Sequence, residues 1–344
     1  MINWKEHYIE TEPAERSQYF WVSIFYYMAK TAIDDFGLEG ERCIREAVRQ
    51  FGHERAIRKR QRSDALGLPA NLVSMKNMVD IYHDPRFDKL PASGKERFKV
   101  QTPEHEFTKV YTCPNNDMWA ALEGKKPGDY LNIGCIYCEE VHHHLYGDYD
   151  PAIQMNLTDI LTKGDECCNF RLHMRKANMK PFDAGQYEPQ SWEDFGTNVQ
   201  DSIYTMFCLH FYHYAKGVYV ALGEAELRKI IRIWAEERGV RLKELNRRNG
   251  VADDIDVLIE KGDIFLDTRI AKDVEELTPN SAKITVKRSI MCQLLRDHGA
   301  GELAPIYFEE SMKALCAAYN PDIQVEVSNL TLEGDCGYQL VLKK

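Results

Sequence analysis

The sequence predicts an α+β fold built of two tandem pseudo-repeats, each with helices packed on an antiparallel sheet. Two observations lead to this fold class. A series of residues recurs in the same order along the 344-residue chain, and each copy passes from helical periodicity to strand alternation. Residues kept in both copies are expected to build the fold, whereas reactive residues confined to one copy are candidates for a site.

The copies can be aligned residue by residue. At a separation of 183 positions, Gly40, Glu41, Arg45, Arg49, Glu54, Arg55, Arg58 and Gly67 recur as Gly223, Glu224, Arg228, Arg232, Glu237, Arg238, Arg241 and Gly250. At a separation of 170 positions, Ile136, Tyr137, Glu139, Glu140, Gly164 and Asp165 recur as Ile306, Tyr307, Glu309, Glu310, Gly334 and Asp335. We place the first repeat at residues 1–180 and the second at 193–344, separated by a Pro- and Gly-bearing segment.

Each repeat begins with two helical patterns. The first is rich in aromatic residues, around Phe25 in one copy and Phe211 in the other. The second carries apolar residues at i, i+4 and i+7, namely Ile44, Val48 and Phe51, and Leu227, Ile231 and Trp234. We expect the aromatic helices to be the surface through which the repeats pack as an intramolecular pseudo-dimer, with His210 and His213 at the domain boundary. A further homo-oligomer is left open.

The second part of each repeat alternates strands and helices. Strand spacing occurs at residues 107–112 and 283–287, and each of these stretches leads into a helical pattern. Two strands then turn at a Gly-Asp pair in each copy, with strands predicted at residues 153–162, 168–174, 325–332 and 338–342. Residues 84–106 are predicted to be irregular and specific to the first copy.

Composition excludes some partners and sets the expected compartment. A net charge of −10 with interspersed signs disfavours nucleic acid and membrane surfaces. The basic run at residues 55–62 is interpreted as a solvated helix face. No apolar run approaches the roughly 20 residues of a membrane span, and no signal peptide is evident, so we expect a cytoplasmic protein. Its ten cysteines are then thiols, ligands or catalysts rather than a disulfide framework.

The two copies differ most in their reactive side chains. Cys113, Cys138, His142 and Cys168 belong to the first copy, whereas Phe308 stands opposite Cys138 in the second. The first repeat is therefore expected to be catalytically equipped and the second to be a degenerate supporting copy. Its partner would be a small-molecule substrate.

Cys138 and His142 lie four positions apart on a helix predicted at residues 134–146, so their side chains share one face. Two chemistries stay open at this point. The imidazole can hold Cys138 as a nucleophilic thiolate, or Cys138, His142, Cys113 and Cys168 can bind a divalent metal such as zinc. Glu139 is a third catalytic candidate, although both copies keep it. Which of His142, His143 and His144 faces the site is left open.

The first copy resembles the L-2-amino-thiazoline-4-carboxylic acid hydrolase family. The resemblance covers about residues 37–174 and rests on Cys113-Pro114 after a strand, on the Cys-containing helix, and on a final Gly164-Asp165-x-x-Cys168-x-Phe170 strand. It implies a hydrolase that cleaves a C–N bond of a cyclic amidine, such as a 2-amino-thiazoline carboxylate. Such a substrate needs an activated water or thiolate, a proton donor and a cation for its carboxylate.

The candidate substrate-binding residues are Cys113, Cys168, His143 and Arg171, the last as a partner for the substrate carboxylate. The same Gly-Asp-x-x-Cys-x-Phe ending is similar to small-molecule-binding domains of the 4-vinyl reductase type. The alternative function is therefore a non-enzymatic sensor or carrier that binds a small molecule or a metal.

Overall fold

The computed structural model describes residues 13–78, 80, 98–125, 132–175, 199–334 and 336–344. Up to the middle of the chain its elements are α1 (Pro13–Phe36), α2 (Leu38–Ala65), α3 (Leu72–Asn77), β1 (Phe98–Gln101), β2 (His105–Val110), α4 (Pro114–Leu122), α5 (Gly134–Gly147), β3 (Ile153–Leu157), a 3-10 turn (Leu161–Lys163) and β4 (Cys168–Met174). The elements that follow are α6 (Val199–Ala221), α7 (Glu224–Asn249), α8 (Ile255–Lys261), β5 (Ala271–Thr278), β6 (Ser281–Arg288), α9 (Ile290–Asp297), a short turn (Leu303–Pro305), a π-helical turn (Ile306–Glu310), α10 (Ser311–Tyr319), β7 (Gln324–Thr331) and β8 (Gly337–Lys343).

The chain divides into two compact units. Among the described residues, the first unit comprises those from 44 to 202 and the second those from 13 to 43 and from 203 to 344. The boundary predicted between residues 180 and 193 lies outside the described residues. The division into repeats at 1–180 and 193–344 therefore stays a prediction.

Each unit contains a four-stranded antiparallel sheet, and the two sheets have the same strand order. The orders are β1-β2-β4-β3 and β5-β6-β8-β7. The register also matches, because Val110 pairs with Cys168 in one sheet and Val286 pairs with Tyr338 in the other. The predicted α+β fold is confirmed, and the architecture is consistent with two pseudo-repeats.

A helix start is anchored in the same way in both units. The Leu72 N–H donates to the Pro103 carbonyl at 3.3 Å, and the Ile255 N–H donates to the Pro279 carbonyl at 3.1 Å. The 183-residue separation therefore extends through α3 and α8. This agreement lets residues of the two units be compared position by position.

The prediction that residues 84–106 are irregular is wrong for the last part of this stretch. Phe98–Gln101 forms β1, and β2 begins at His105. β1 is an edge strand that pairs with β2 from Phe98↔Lys109 to Gln101↔Glu106. Four residues show too little alternation to be recognised, and pairing with β2 supplies their backbone hydrogen bonds. Residues 81–97 lie outside the described part of the chain.

The strand predicted at residues 153–162 ends earlier, at Leu157. The Asp165 carboxylate accepts a hydrogen bond from the Ile160 N–H at 2.8 Å, and a 3-10 turn follows. Gly164 then adopts a φ of 89°, a conformation that favours glycine, as the Gly-Asp turn predicts. In the second unit Gly334 has a φ of 60°, while Asp335 lies outside the described residues.

The second unit has an aromatic core in which α1, α6 and α7 meet. The rings of Phe20 and Phe207 lie 5.3 Å apart, as do those of Phe20 and Trp234. His210 is fully buried among aromatic rings, 5.6 Å from Trp21 and 4.2 Å from Tyr214. The pseudo-twofold packing of the two repeats stays a prediction. No helix in the described ranges is both long and apolar enough to cross a membrane.

Close helix packing makes Gly239 a sensitive position in the second unit. A Cβ atom there would lie 2.3 Å from the Leu315 carbonyl oxygen of α10. We expect Gly239→Ala to lower the free energy of unfolding of this unit by about 1 to 3 kcal/mol, since the helix backbones must move apart. Peptide-resolved hydrogen exchange measures the effect in each unit separately.

Gly147→Ala is the matched control for Gly239→Ala. In the described part of the chain, no atom outside its own helix turn lies within 4 Å of a Cβ atom at this helical position. The control is expected to be neutral or to stabilise by up to about 1 kcal/mol, because alanine favours the helix. Equal effects of the two substitutions would show that α7 and α10 do not pack closely.

Candidate functional site

Helix α5 agrees with the helix predicted at residues 134–146 and is held against α2 by ion pairs. Arg45 Nη1 lies 2.8 Å from Glu139 and 3.0 Å from Glu140, and Arg49 Nε lies 2.8 Å from Glu140. Lys163 also pairs with Glu139. Burial alone would raise the pKa of Glu139, but its hydrogen bonds with Lys163 and Arg45 outweigh burial and lower the pKa.

The second unit repeats this arrangement. Glu310 lies 3.2 Å from both Arg228 and Arg232, which occupy the positions of Arg45 and Arg49. Glu310 corresponds to Glu140, so the ion pairs of Glu140 are best explained as fold elements. Glu309, the counterpart of Glu139, lies 3.8 Å from Lys313 instead, so recurrence does not explain the ion pairs of Glu139.

The three predicted cysteines lie near one another. Cys113 is the residue before α4, Cys138 is buried on α5, and Cys168 begins β4. Burial raises the pKa of the Cys138 thiol well above its ordinary value, and Cys168 and Cys113 raise it further. Burial likewise raises the pKa of Cys168 to about 12.

These pKa directions do not favour a resting thiolate. No hydrogen bond joins Cys138 to His142 in the described residues, and no cation near Cys138 offsets its burial. Within the same ranges, no three His, Cys, Asp or Glu side chains are grouped so that they could hold a metal ion. The alternative ligand set of Cys138, His142, Cys113 and Cys168 is therefore not assembled as a metal site.

His142 is the histidine of the run that faces the interior of the first unit. Its ring contacts Phe170 edge-on at 4.9 Å, whereas His143 is exposed and His144 Nδ1 lies 2.9 Å from Asp148. Burial lowers the pKa of His142 to about 3, and the nearby cations Lys76 and Arg55 contribute to the shift. The imidazole is therefore neutral at physiological pH.

The structure separates Arg171 from this interior. In β4, Cys168, Phe170 and Leu172 are buried, whereas Arg171 is exposed with its guanidinium 5.2 Å from the Phe107 ring centre. Alternate residues of a strand point to opposite faces. Arg171 therefore cannot reach a substrate carboxylate held on the face of Cys168. His143 is likewise exposed to solvent.

Sequence reasoning missed a buried ion-pair cluster on α2. Arg55 forms two hydrogen bonds with Asp80, at 2.7 and 3.1 Å, and Lys59 Nζ lies 3.2 Å from the same carboxylate. Burial would raise the pKa of Asp80, but Arg55 and Lys59 outweigh burial and hold it well below its ordinary value. Burial lowers the pKa of Lys59 from 10.5 to about 8, although Asp80 opposes this shift.

A second group of polar side chains, with Lys76 partly exposed and Glu106 buried, adjoins the first. Lys76 Nζ lies 3.0 Å from Glu106 Oε1, is close to the Tyr146 hydroxyl, and lies 4.7 Å from the Tyr146 ring centre. Thr108 Oγ1 donates to Glu106 Oε1 at 2.9 Å. Glu106 and Thr108 are both on the inward face of β2. We call Lys59, Lys76, Glu106 and His142 the interior polar cluster.

The interior polar cluster could have been recognised in the sequence by comparing aligned positions of the two units. Arg55 and Asp80 recur as Arg238 and Asp263, which form the same two hydrogen bonds at 3.0 and 2.8 Å. The interior polar cluster does not recur: its four members correspond to Leu242, Ile259, Ala282 and Met312. All four of these apolar side chains are buried or nearly so. The difference isolates polar groups that the fold does not require.

An open cavity of about 300 Å³ lies elsewhere, at the end of the sheet in the second unit. Thr285, Asn329 and Tyr338 are among its lining residues. Its lining includes no member of the interior polar cluster. We base the candidate site on the buried charges of the first unit, because such groups persist in a protein interior only with a compensating role.

Comparison with known proteins gives a match over this part of the chain. The sequence profile of the L-2-amino-thiazoline-4-carboxylic acid hydrolase family matches residues 20–172, which include every member of the interior polar cluster. No curated protein and no solved structure matched the chain. Over residues 20–172, a little under half of the chain, the protein is similar to the L-2-amino-thiazoline-4-carboxylic acid hydrolase family, whose name describes hydrolases.

Proposed function

We propose that this chain is a hydrolase that opens the ring of a small cyclic amidine of the 2-amino-thiazoline carboxylate type. The observation that carries the proposal is the interior polar cluster, which lies in the matched part of the chain and is replaced by apolar residues in the second unit. The reaction would take place in the first unit, with the second as a supporting copy.

The pKa directions favour water as the attacking group. Cys138 is held as a thiol, whereas His142 is neutral and its buried Nδ1 has no hydrogen-bond partner within the described ranges. A neutral ring nitrogen in this state can accept a hydrogen bond from water and orient it towards the amidine carbon. Cys113, Cys138 and Cys168 would line the pocket beside it.

The proposed step is balanced with water alone. The oxygen of water bonds to the amidine carbon and becomes its carbonyl oxygen, while one ring bond of that carbon breaks. In C–N cleavage both protons of water end on the released ring nitrogen, which becomes a primary amine. In C–S cleavage one proton ends on the ring sulfur, which becomes a thiol, and the other on the ring nitrogen. A free-thiol assay separates cleavage of the expected C–N bond, which yields no thiol, from cleavage of the C–S bond.

The test of the function is turnover of 2-amino-thiazoline-4-carboxylate by the full chain, followed by mass spectrometry. Product that gains the mass of one water supports the proposal. Binding of the compound without any product would favour the alternative function, a small-molecule sensor or carrier. Neither binding nor product would overturn the proposed substrate class.

Cys138 gives a prediction that does not depend on the substrate. We expect iodoacetamide at pH 7 to leave Cys138 unmodified in the folded protein, because burial raises the pKa of its thiol. Peptide mass spectrometry measures the labelling, with urea-unfolded protein as the positive control.

Cys138→Ala is then expected to lower kcat less than tenfold, since the thiol would line the pocket without attacking. Rapid labelling of Cys138 together with complete loss of turnover in Cys138→Ala would instead support covalent catalysis.

A further inference from the structure

The interior polar cluster contains buried atoms with unmet hydrogen-bonding capacity. The Glu106 side chain is 1% exposed, and its Oε2 has no hydrogen-bond partner among the described residues, although its Oε1 is bound by Lys76 and Thr108. His142 Nδ1 is also buried, and no partner for it lies in the described part of the chain. An unpaired buried carboxylate oxygen is costly, and folding alone does not explain its presence.

The charges of the surrounding groups do not balance either. Three basic side chains, Arg55, Lys59 and Lys76, surround two carboxylates, those of Asp80 and Glu106. At the corresponding positions of the second unit, one Arg faces one Asp, as Arg238 and Asp263, and the other three residues are apolar. Among the described side chains of this group, basic residues thus outnumber acidic ones by one; Arg55 and Lys59 are buried, and Lys76 is 25% exposed.

The second unit has the same fold with apolar residues at the positions of these charged side chains. Leu242 stands at the position of Lys59, Ile259 at that of Lys76 and Ala282 at that of Glu106. Leu242 and Ala282 are buried in the core of their unit. The polar side chains of the interior polar cluster are therefore not needed to build this fold. Their charges and unpaired hydrogen-bonding atoms indicate the chemistry of a ligand that would pair with them.

We propose that the interior polar cluster binds a small zwitterion, with Lys59 and Lys76 facing the ligand carboxylate and Glu106 Oε2 accepting a hydrogen bond from a cationic N–H group. The excess basic group is satisfied by an anion, and the free carboxylate oxygen is satisfied by an N–H donor. An amidinium carboxylate carries both. This assignment rests on the proposed function, because it names the residues that would recognise its substrate.

The test compares binding of three probes by calorimetry. The probes are 2-amino-thiazoline-4-carboxylate, 2-amino-thiazoline, which lacks the carboxylate, and thiazolidine-4-carboxylate, which lacks the amidine. Lys59→Leu is expected to lower affinity for the first probe at least tenfold and to abolish its advantage over the second. Glu106→Ala is expected to abolish the advantage of the first probe over the third.

Both substitutions introduce the residue that the second unit already accommodates at the corresponding position. Glu106→Gln keeps the side-chain volume if Glu106→Ala does not fold, and is expected to weaken binding of the amidine probes at least tenfold. Lys313→Met is the matched control, because Lys313 is exposed and pairs with Glu309 in the second unit. This control should bind all three probes as the unaltered chain does.

Failure of this inference can be told apart from failure of the proposed function. Wild-type turnover with unchanged binding in Lys59→Leu and Glu106→Gln would overturn the inference and leave the hydrolase intact. Selective loss of binding in these variants, with no turnover by any form, would overturn the hydrolase and support the binding site. No binding of any probe by the unaltered chain would overturn the inference.

Discussion

Replacing Arg238 by methionine is expected to lower the free energy of unfolding of the second unit by about 3 to 5 kcal/mol. The Arg238 side chain is 2% exposed and forms two hydrogen bonds with Asp263, whose side chain is fully buried. Its guanidinium also lies 4.3 Å from the Phe20 ring centre and 4.4 Å from that of Trp234. The substitution would leave a buried carboxylate without these two hydrogen bonds.

The matched substitution in the first unit is Arg55→Met, and its cost should be smaller. Lys59 would still lie near Asp80, whereas Leu242 offers no charge at that position of the second unit. Peptide-resolved hydrogen exchange reads the stability of each unit in both variants, which a single unfolding transition of a two-unit chain would not do.

The double variant Arg238→Met/Asp263→Leu provides the control. Replacing both partners of a buried ion pair by apolar residues is often nearly neutral, so most of the stability should return. Equal costs for Arg55→Met and Arg238→Met would show that Lys59 does not compensate for the lost guanidinium at Asp80.

The elements with strong periodicity were predictable from the sequence. The helix predicted at residues 134–146 is observed as Gly134–Gly147, and the strand predicted at 168–174 is observed as Cys168–Met174. β5 was missed because almost every residue of Ala271–Thr278 is exposed, which leaves no apolar alternation to recognise. Such an edge strand forms because β6 offers hydrogen bonds, and that information is not local.

The candidate site was less predictable, because burial of charge is a tertiary property. The basic run at residues 55–62 was interpreted as a solvated helix face, and Arg58 is indeed exposed. Arg55 and Lys59, four positions apart, instead face the interior of the unit, where Asp80 compensates their charge. Asp80 lies 25 positions from Arg55, and only the recurrence of this spacing as Arg238 and Asp263 marks the pair in the sequence.

The surroundings of the cysteine and histidine residues also depend on tertiary structure, which spacing in the sequence does not show. Spacing placed Cys138 and His142 on one helical face, but it could not show that Cys138 neighbours Cys113 and Cys168 while His142 neighbours Lys76 and Phe170. Reactivity depends on these surroundings, since burial raises the pKa of a thiol and lowers that of an imidazole. The spacing of Cys138 and His142 therefore predicts that they share a helical face, but not the surroundings that set their reactivity.

Lys59→Leu is expected to stabilise the first unit at neutral pH by about 3 kcal/mol. Burial lowers the pKa of Lys59 from 10.5 to about 8. Below pH 8 the folded protein therefore carries a buried charge that lowers its free energy of unfolding. Between pH 8 and 10.5 the unfolded chain binds a proton on Lys59 that the folded protein lacks, and stability therefore rises with pH in this window. Leucine removes both the cost and the pH dependence.

Hydrogen exchange of α2 peptides, compared between the variant and the unaltered chain at pH 7 and pH 10, measures the difference. The advantage of Lys59→Leu should be largest at pH 7 and should shrink towards pH 10.5, because neutral lysine no longer carries the cost. Leu242 shows that the corresponding position of this fold accepts leucine in the core. A variant less stable than the unaltered chain at pH 7 would mean that the attraction between Lys59 and Asp80 exceeds the cost of burying the lysine. A gain in stability together with the loss of ligand binding would instead identify Lys59 as a residue kept for recognition at the expense of the fold.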